Sequence, residues 1–204
     1  DIWRAISQIA SATAFEKVQN PEHAFEAGYV LGHFHRMVSD LPCDQLRYAL
    51  PGFHVTPGYL AKLDAALATP EGQERVQTSP DAKRALRFVE ERRGRCSVLE
   101  NALKSGELQL RTTHGDPKVG NIMIDTATGR GTCIVDLDTV QPGLVHYDIG
   151  DATRSACNPA GEDAPDLASV IFDLDLFTAI YRGYRAHAKD FLSPAELKFL
   201  YDCI

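Results

Sequence analysis

Two stretches near the middle of the chain, "THGDPKVGNIMID" (113–125) and "CIVDLDTV" (133–140), constrain the fold most. Each contains an apolar run too short for a stable helix, and "TATGRG" between them reads as a turn. The spacing predicts two strands of a small β-ribbon. Asp116, Asn121, Asp136 and Asp138 fall at the ends of the apolar runs, where strands hand over to loops.

On either side of this ribbon the periodicity is helical. Asn20 before Pro21 is a helix start, and Phe25, Tyr29, Val30, Leu31, Phe34, Met37 and Val38 form a broad apolar stripe that Leu41-Pro42 ends. "TPGYLAKLDAALA" predicts a second helix. Ser79-Pro80 opens a third, which Gly94 divides and Gly106 closes. Beyond Pro142-Gly143 helices resume, from about Tyr147 to Arg154, then over "ASVIFDLDLFTAIYRGYRAHA", then from Ser193-Pro194 onward. Trp3, Phe172, Phe177, Tyr181 and Tyr184 read as core residues, and Asp173 with Asp175 as a solvated or capped face. His33 and His35 do not share a helix face, so they make a poor metal pair. The order of helices, ribbon and helices is not the strand–helix alternation of a Rossmann fold or a barrel, and neither GxGxxG nor GxxxxGK[ST] occurs. The fold class is α+β, mostly α, in four parts: a connector over 1–20, a helical part over 21–107, the loop and ribbon over 108–140, and C-terminal helices over 141–204.

The formal charge of −7, without any basic run, argues against non-specific nucleic-acid binding. No stretch is long and apolar enough for a membrane span, and the N-terminus lacks a signal peptide's basic flank and apolar region. The five cysteines are scattered and unpaired in sequence, which predicts free thiols in a reducing, cytoplasmic setting.

The polar residues of the ribbon suit phosphoryl transfer. Mg²⁺ takes oxygen ligands, commonly one or two carboxylates with phosphate oxygens, and Asn121 with Asp136 would serve. A second carboxylate must stay clear of the metal to take the proton of the attacking hydroxyl, a role for Asp116. Lys118 would neutralise the transferring group. Asp116 and Asn121 are also ordinary turn residues, but a turn explains neither Lys118 nor Asp136 at these positions.

His114-Gly115-Asp116, with Asn121 five residues on and Asp136 later, resembles the protein-kinase series H-R-D-L-x-x-x-N followed by D-F-G. With H-G-D as its first triplet, it resembles the aminoglycoside and choline phosphotransferase branch of the kinase fold. Together with "AGYVLGHFHRMVSDLP", "LPGFHVTP" and "CIVDLDTVQPGLVHYDIGDATRS", it is similar to the N-acetylhexosamine 1-kinase group over most of residues 22–180. That resemblance implies the C-terminal lobe of a protein-kinase-like fold, with the small β-ribbon carrying the catalytic loop. It implies ATP and Mg²⁺, and the anomeric hydroxyl of an N-acetylated amino sugar as acceptor. Asp116 is then the base and Lys118 the phosphate contact. Asn121 and Asp136 are the metal ligands, and Met123 and Val135 lie by the adenine. His114 and Asp148 support the loop. Asp138 stands where the family pattern has Gly. On a continuing strand it would share a side with Asp136 and face the metal or a sugar hydroxyl. Arg154 either pairs with Asp151 at i,i+3 or reaches substrate.

Nothing before residue 113 resembles the Gly-rich loop or strand lysine of an N-terminal lobe. The chain therefore reads as a C-terminal lobe whose partner lobe is missing in cis. It would have little activity alone, an apolar lobe-facing surface, and a C-terminus that stops inside a helix. Aminoglycoside or choline kinases are the nearest alternatives, because an acidic pocket of Asp138, Asp148 and Asp151 would suit a cation. A non-catalytic sugar- or nucleotide-binding module and a Mg²⁺-dependent hydrolase are alternatives from other classes.

Overall fold

Helix starts are where local chemistry decides the structure most directly. In the structure, a computed structural model that describes residues 7–204, the Asn20 side chain accepts from His23 N at 2.8 Å and opens α1 (Pro21–Met37). Proline costs nothing at this first turn, where its missing N–H would have had no helical partner. The same pairing of cap and proline opens α3 (Pro70–Thr78) at Thr69 and α4 (Pro80–Arg92) at Ser79, while α2 (Thr56–Leu67) begins without a side-chain cap. A 3₁₀ turn over Arg93–Arg95 separates α4 from α5 (Val98–Ser105), which ends on Gly106 in the left-handed region. Later helices are α6 (Val145–Ala156), α7 (Leu174–Ala188) and α8 (Pro194–Lys198). The last opens with a reciprocal capping box between Ser193 and Glu196.

The strands form two small antiparallel units. One is three-stranded: β1 (Ala12–Thr13) pairs with β3 (Ile122–Asp125), which pairs with β4 (Gly131–Ile134). The other pairs β2 (Arg111–Thr113) with β5 (Gln141–Gly143), bringing Thr113 opposite Gln141. The ribbon is anchored to α1. Ala27 and Val30 form one apolar cluster with Ile122 and Ile124 of β3, leaving Met123 on the other face. Leu31 and Ala24, on another side of α1, join a larger core with Ile149, Ala152, Ile180 and Tyr184 from α6 and α7. Gly28 and Gly183 let α1 and α7 approach closely, since a Cβ on Gly183 would run into the Phe25 carbonyl and one on Gly28 into that of Ile180. The catalytic-loop candidate thus sits between a ribbon fixed to α1 and the helix α6.

Several expectations need correction. Residues 7–20 are not wholly connector, because β1 adds a strand to the ribbon. The first helix ends at Met37, ahead of Leu41-Pro42, and α3 occupies a stretch the periodicity did not single out. "TCIVDLD" is not one strand. β4 stops at Ile134, Asp136 is left-handed (φ 66°, ψ 60°), and Leu137–Thr139 is a 3₁₀ turn, so Asp136 and Asp138 do not share a strand face. The seventh helix begins at Leu174 rather than near Ala168, because Asp173 caps it by accepting from the Asp175 and Leu176 N–H groups. Phe172 therefore precedes that helix and is exposed, whereas Tyr184 is core. Trp3 lies outside the described residues.

Candidate functional site

The loop from His114 to Asn121 is defined by what fixes its backbone. Asp148, fully buried on the first turn of α6, accepts from His114 N at 2.6 Å and Gly115 N at 2.9 Å, one on each carboxylate oxygen. His35 Nε2 of α1 lies 2.8 Å from the oxygen that serves His114, and His35 Nδ1 shares a hydrogen bond with the Tyr184 hydroxyl. Burial acts to raise the Asp148 pKa. The His35 bond and charge and the two backbone N–H groups outweigh it and hold the carboxyl below its ordinary range. Asp148 is therefore a buried brace, with no part in an acidic pocket alongside Asp138 and Asp151.

His114 has every polar atom occupied. Its Nε2 is 3.0 Å from the Val135 carbonyl, its Nδ1 takes the Asp116 N–H at 3.2 Å, and its carbonyl accepts from Thr139 Oγ1 at 2.7 Å. These partners specify the tautomer with hydrogen on Nε2, since a carbonyl only accepts and an N–H only donates. Gly115 has φ 89°, and a Cβ there would lie 2.7 Å from the Thr139 carbonyl, so glycine is required on both counts. Its own carbonyl meets His54 Nε2 at 2.7 Å. Val119 N donates to Ser155 Oγ of α6 at 3.2 Å, tying down the far end of the loop.

With the backbone so held, the side chains of Asp116, Lys118 and Asn121 converge. Lys118 Nζ lies 3.2 Å from Asp116 Oδ2, and that carboxylate raises the lysine pKa. Asn121 Nδ2 donates to the Asp116 carbonyl at 2.7 Å and to its Oδ2 at 3.2 Å. The amide nitrogen is thereby spent on Asp116. Asn121 Oδ1 takes no hydrogen bond among the described residues. Val135 links the two halves of the site: its N–H donates to the Asn121 carbonyl at 2.9 Å, and its carbonyl serves His114. Asp136 follows directly, exposed and left-handed, turned out of the ladder.

The donor set suits a hard cation. Among the described residues no cluster of three His, Cys, Asp or Glu side chains could hold a metal. An ion would rest on Asn121 Oδ1 and the Asp136 carboxylate and draw its remaining oxygens from a phosphate-bearing ligand, as Mg²⁺ commonly does. Met123 and Val135 are both half-buried near the ribbon's end, Met123 facing away from α1. Asp138 is exposed in the 3₁₀ turn. Arg154 pairs with Asp151 at 2.8 Å and with Glu162 at 2.7 Å, so the i,i+3 ion pair is present. His35, His54 and Ser155 hold the loop, a role the sequence did not assign to any of them. Their contacts span 113, 61 and 36 positions, and no local pattern announces them.

Comparison with known proteins bears on the fold and the family. Among the solved structures that resemble the chain are the following two. Aminoglycoside-3'-phosphotransferase of type VIII is 18% identical, with 94% of this chain and 65% of that one covered and a TM-score of 0.46. An ethanolamine kinase of Plasmodium vivax is 14% identical, with 96% and 54% covered and a TM-score of 0.55. The chain thus spans less than two thirds of the length of either. The second likeness shows a kinase-like fold, and identities this low say nothing of substrate. Among the described residues no helix is long and apolar enough to cross a membrane. The sequence pattern of the APH phosphotransferase enzyme family matches residues 3–187, which include the whole loop, the ribbon and the brace, and the chain belongs to that family.

Proposed function

We propose that the protein carrying this chain transfers the γ-phosphoryl group of ATP to a hydroxyl of a small acceptor. The finer reading is the anomeric hydroxyl of an N-acetylhexosamine. The observation that carries the proposal is the contrast within one loop: the backbone of His114 and Gly115 is fixed at both N–H and carbonyl, while Asp116 keeps its carboxylate for Lys118, Asn121 and an incoming group.

In this reading Asp116 orients the acceptor hydroxyl and takes its proton as the oxygen attacks phosphorus. Lys118 is shared. It neutralises Asp116 at 3.2 Å, and an arriving phosphate would draw it across, baring the carboxylate for the hydroxyl and placing positive charge beside the transferring group. Asn121 is aimed by Asp116 so that its carbonyl oxygen, with the Asp136 carboxylate, would hold Mg²⁺. When bound, that ion supplies charge neutralisation and a template for the phosphates. Met123 and Val135 would form part of the adenine floor, and Asp138 would meet the acceptor. The remaining half of the nucleotide site we assign to a lobe outside these residues.

The test is an ATP-coupled screen of the natural full-length protein against N-acetylglucosamine, N-acetylgalactosamine, choline and aminoglycosides. Asp116→Asn should lower kcat for the accepted substrate by about 10²–10⁴-fold with an unchanged circular dichroism spectrum. Undiminished turnover in that variant would remove Asp116 as the base.

A further inference from the structure

The peptide unit that joins Gly115 to Asp116 sets the direction in which the Asp116 side chain leaves the loop. Imidazoles grip it at both ends. The Asp116 N–H donates to His114 Nδ1 at 3.2 Å, and the Gly115 carbonyl accepts from His54 Nε2 at 2.7 Å. A carbonyl only accepts, so His54 carries its hydrogen on Nε2. His114 belongs to the loop itself, whereas His54 reaches it from 61 positions away.

His54 is held as firmly as the group it holds. Upstream, Leu50 exchanges two hydrogen bonds with the buried Gln141 side chain of β5. Leu50 N donates to Oε1 at 2.8 Å, and Gln141 Nε2 donates to the Leu50 carbonyl at 3.4 Å. Phe53 N bonds back to the Leu50 carbonyl at 3.1 Å, and Val55 N to that of Gly52 at 3.2 Å. Downstream, the His54 N–H donates to the Tyr59 hydroxyl of α2 at 2.9 Å. The half-buried ring lies against Phe53, with centroids 4.0 Å apart, and stacks with Tyr147 at 6.0 Å. Tyr147 is fixed in turn by its hydroxyl, which donates to Glu100 at 2.9 Å.

The backbone makes the choice of histidine informative. His54 is the third residue of the turn from Gly52 to Val55, and its φ is 61°. Glycine or asparagine is the usual occupant of such a position, and either would close the same turn with less strain. Among the described residues, Ser11, His54 and Asp136 are the non-glycine residues with positive φ. His54 touches the loop and Asp136 belongs to the site, which is where strained backbone tends to gather. The turn accounts for a left-handed residue but not for an imidazole. The imidazole is spent on the Gly115 carbonyl.

Resting on the proposed phosphoryl transfer, we infer that His54 is a positioning residue for that reaction: its Nε2–H fixes the peptide that aims Asp116, and the left-handed backbone is tolerated there because a side chain of this reach meets the Gly115 carbonyl. It touches neither nucleotide nor acceptor and acts through Asp116. Asparagine would suit the backbone but stop short of the carbonyl. Glutamine, whose terminal nitrogen extends about as far as the imidazole Nε2, would reach it at the expense of the backbone.

His54→Asn and His54→Gln therefore separate aim from stability. They are compared in the natural full-length protein with ATP and the acceptor that the screen returns, N-acetylglucosamine first. His54→Asn should lower kcat by about 10- to 100-fold, as a misplaced group does, with KM for ATP unchanged. Its Tm should stay within about 4 °C of the wild type, because asparagine favours the left-handed region and offsets much of the lost bond. His54→Gln should melt below His54→Asn yet recover most of the lost kcat. A residue that served stability alone would give the same order in both measurements. Hydrogen exchange at the Asp116 amide needs no substrate, and it should quicken by about tenfold in His54→Asn and return toward the wild-type rate in His54→Gln. The assignment is overturned if His54→Asn keeps kcat within about twofold of the wild type, if kcat and Tm rank the two variants alike, or if the Asp116 amide of His54→Asn exchanges at the wild-type rate. A wild-type protein that phosphorylates no acceptor in the screen, while the exchange responds as expected, would sink the phosphotransferase reading and leave the grip of His54 on Asp116 standing.

Discussion

Replacing Asp148 with asparagine tests the loop's architecture most directly. The substitution keeps shape and burial but removes the charge and one acceptor. If the asparagine oxygen takes the place of Oδ2, it can still serve His114 N and His35. Its NH₂ then faces Gly115 N, and that buried N–H loses its 2.9 Å bond, for about 1–3 kcal/mol. The two surviving bonds fall from charge-assisted to neutral strength, about 1 kcal/mol each. The expected loss is about 3–5 kcal/mol, the range for breaking a buried pair by removing one partner. That is a large part of a typical domain's 5–15 kcal/mol. Urea unfolding at neutral pH, at unchanged m, measures it. The pH dependence has a definite sign. The folded pKa of Asp148 is depressed below its ordinary 3.8, so its stabilisation is fully present above 3.8 and is lost as pH falls through the lower folded value. The gap between wild type and Asp148→Asn should therefore be constant above about pH 5 and narrow toward acid. A loss under about 1 kcal/mol, or a gap that widens on acidification, would refute the brace.

Two further substitutions test backbone requirements. Gly115→Ala puts a Cβ 2.7 Å from the Thr139 carbonyl at φ 89° and should cost about 1–3 kcal/mol by thermal melting, with kcat falling because Asp116 is displaced. Gly183→Ala drives a Cβ into the Phe25 carbonyl, forcing α1 and α7 apart, and should lower Tm by several degrees or more while leaving the order of acceptor preference unchanged.

The elements that could be read from sequence are those whose ends are set by neighbouring residues. Asn20-Pro21, Ser79-Pro80 and Ser193-Pro194 each carry a cap and a first-turn proline, and each opens a helix. The third helix has no apolar stripe to announce it despite its Thr69-Pro70 start, because "PEGQERVQT" carries Val76 as its single large apolar side chain and buries no residue. The strand β1 is two residues long and exists only because β3 offers it an edge. The early end of β4 has the same non-local origin. Val135 still gives its N–H in register to the Asn121 carbonyl, but its own carbonyl is taken by the His114 side chain, and the β-branched run turns left-handed at Asp136.

Within the site, spacing brought Asp116, Lys118 and Asn121 together because eight residues of loop cannot separate them far. Their aim comes from elsewhere: from Asp148 on α6, His35 on α1 and His54 ahead of α2. The same division separates two kinds of polar residue inside one motif. His114 and Asp148 are buried with their bonds consumed by the protein, so they would be retained by any chain that keeps this loop shape, active or not. Asp116, Lys118 and Asp136 remain accessible and contribute little to holding the loop, so folding alone gives no reason to keep an acid, a base and a second acid at those positions. A binding module that had lost catalysis would need the first group and not the second. The presence of both groups favours phosphoryl transfer over a relic that only binds.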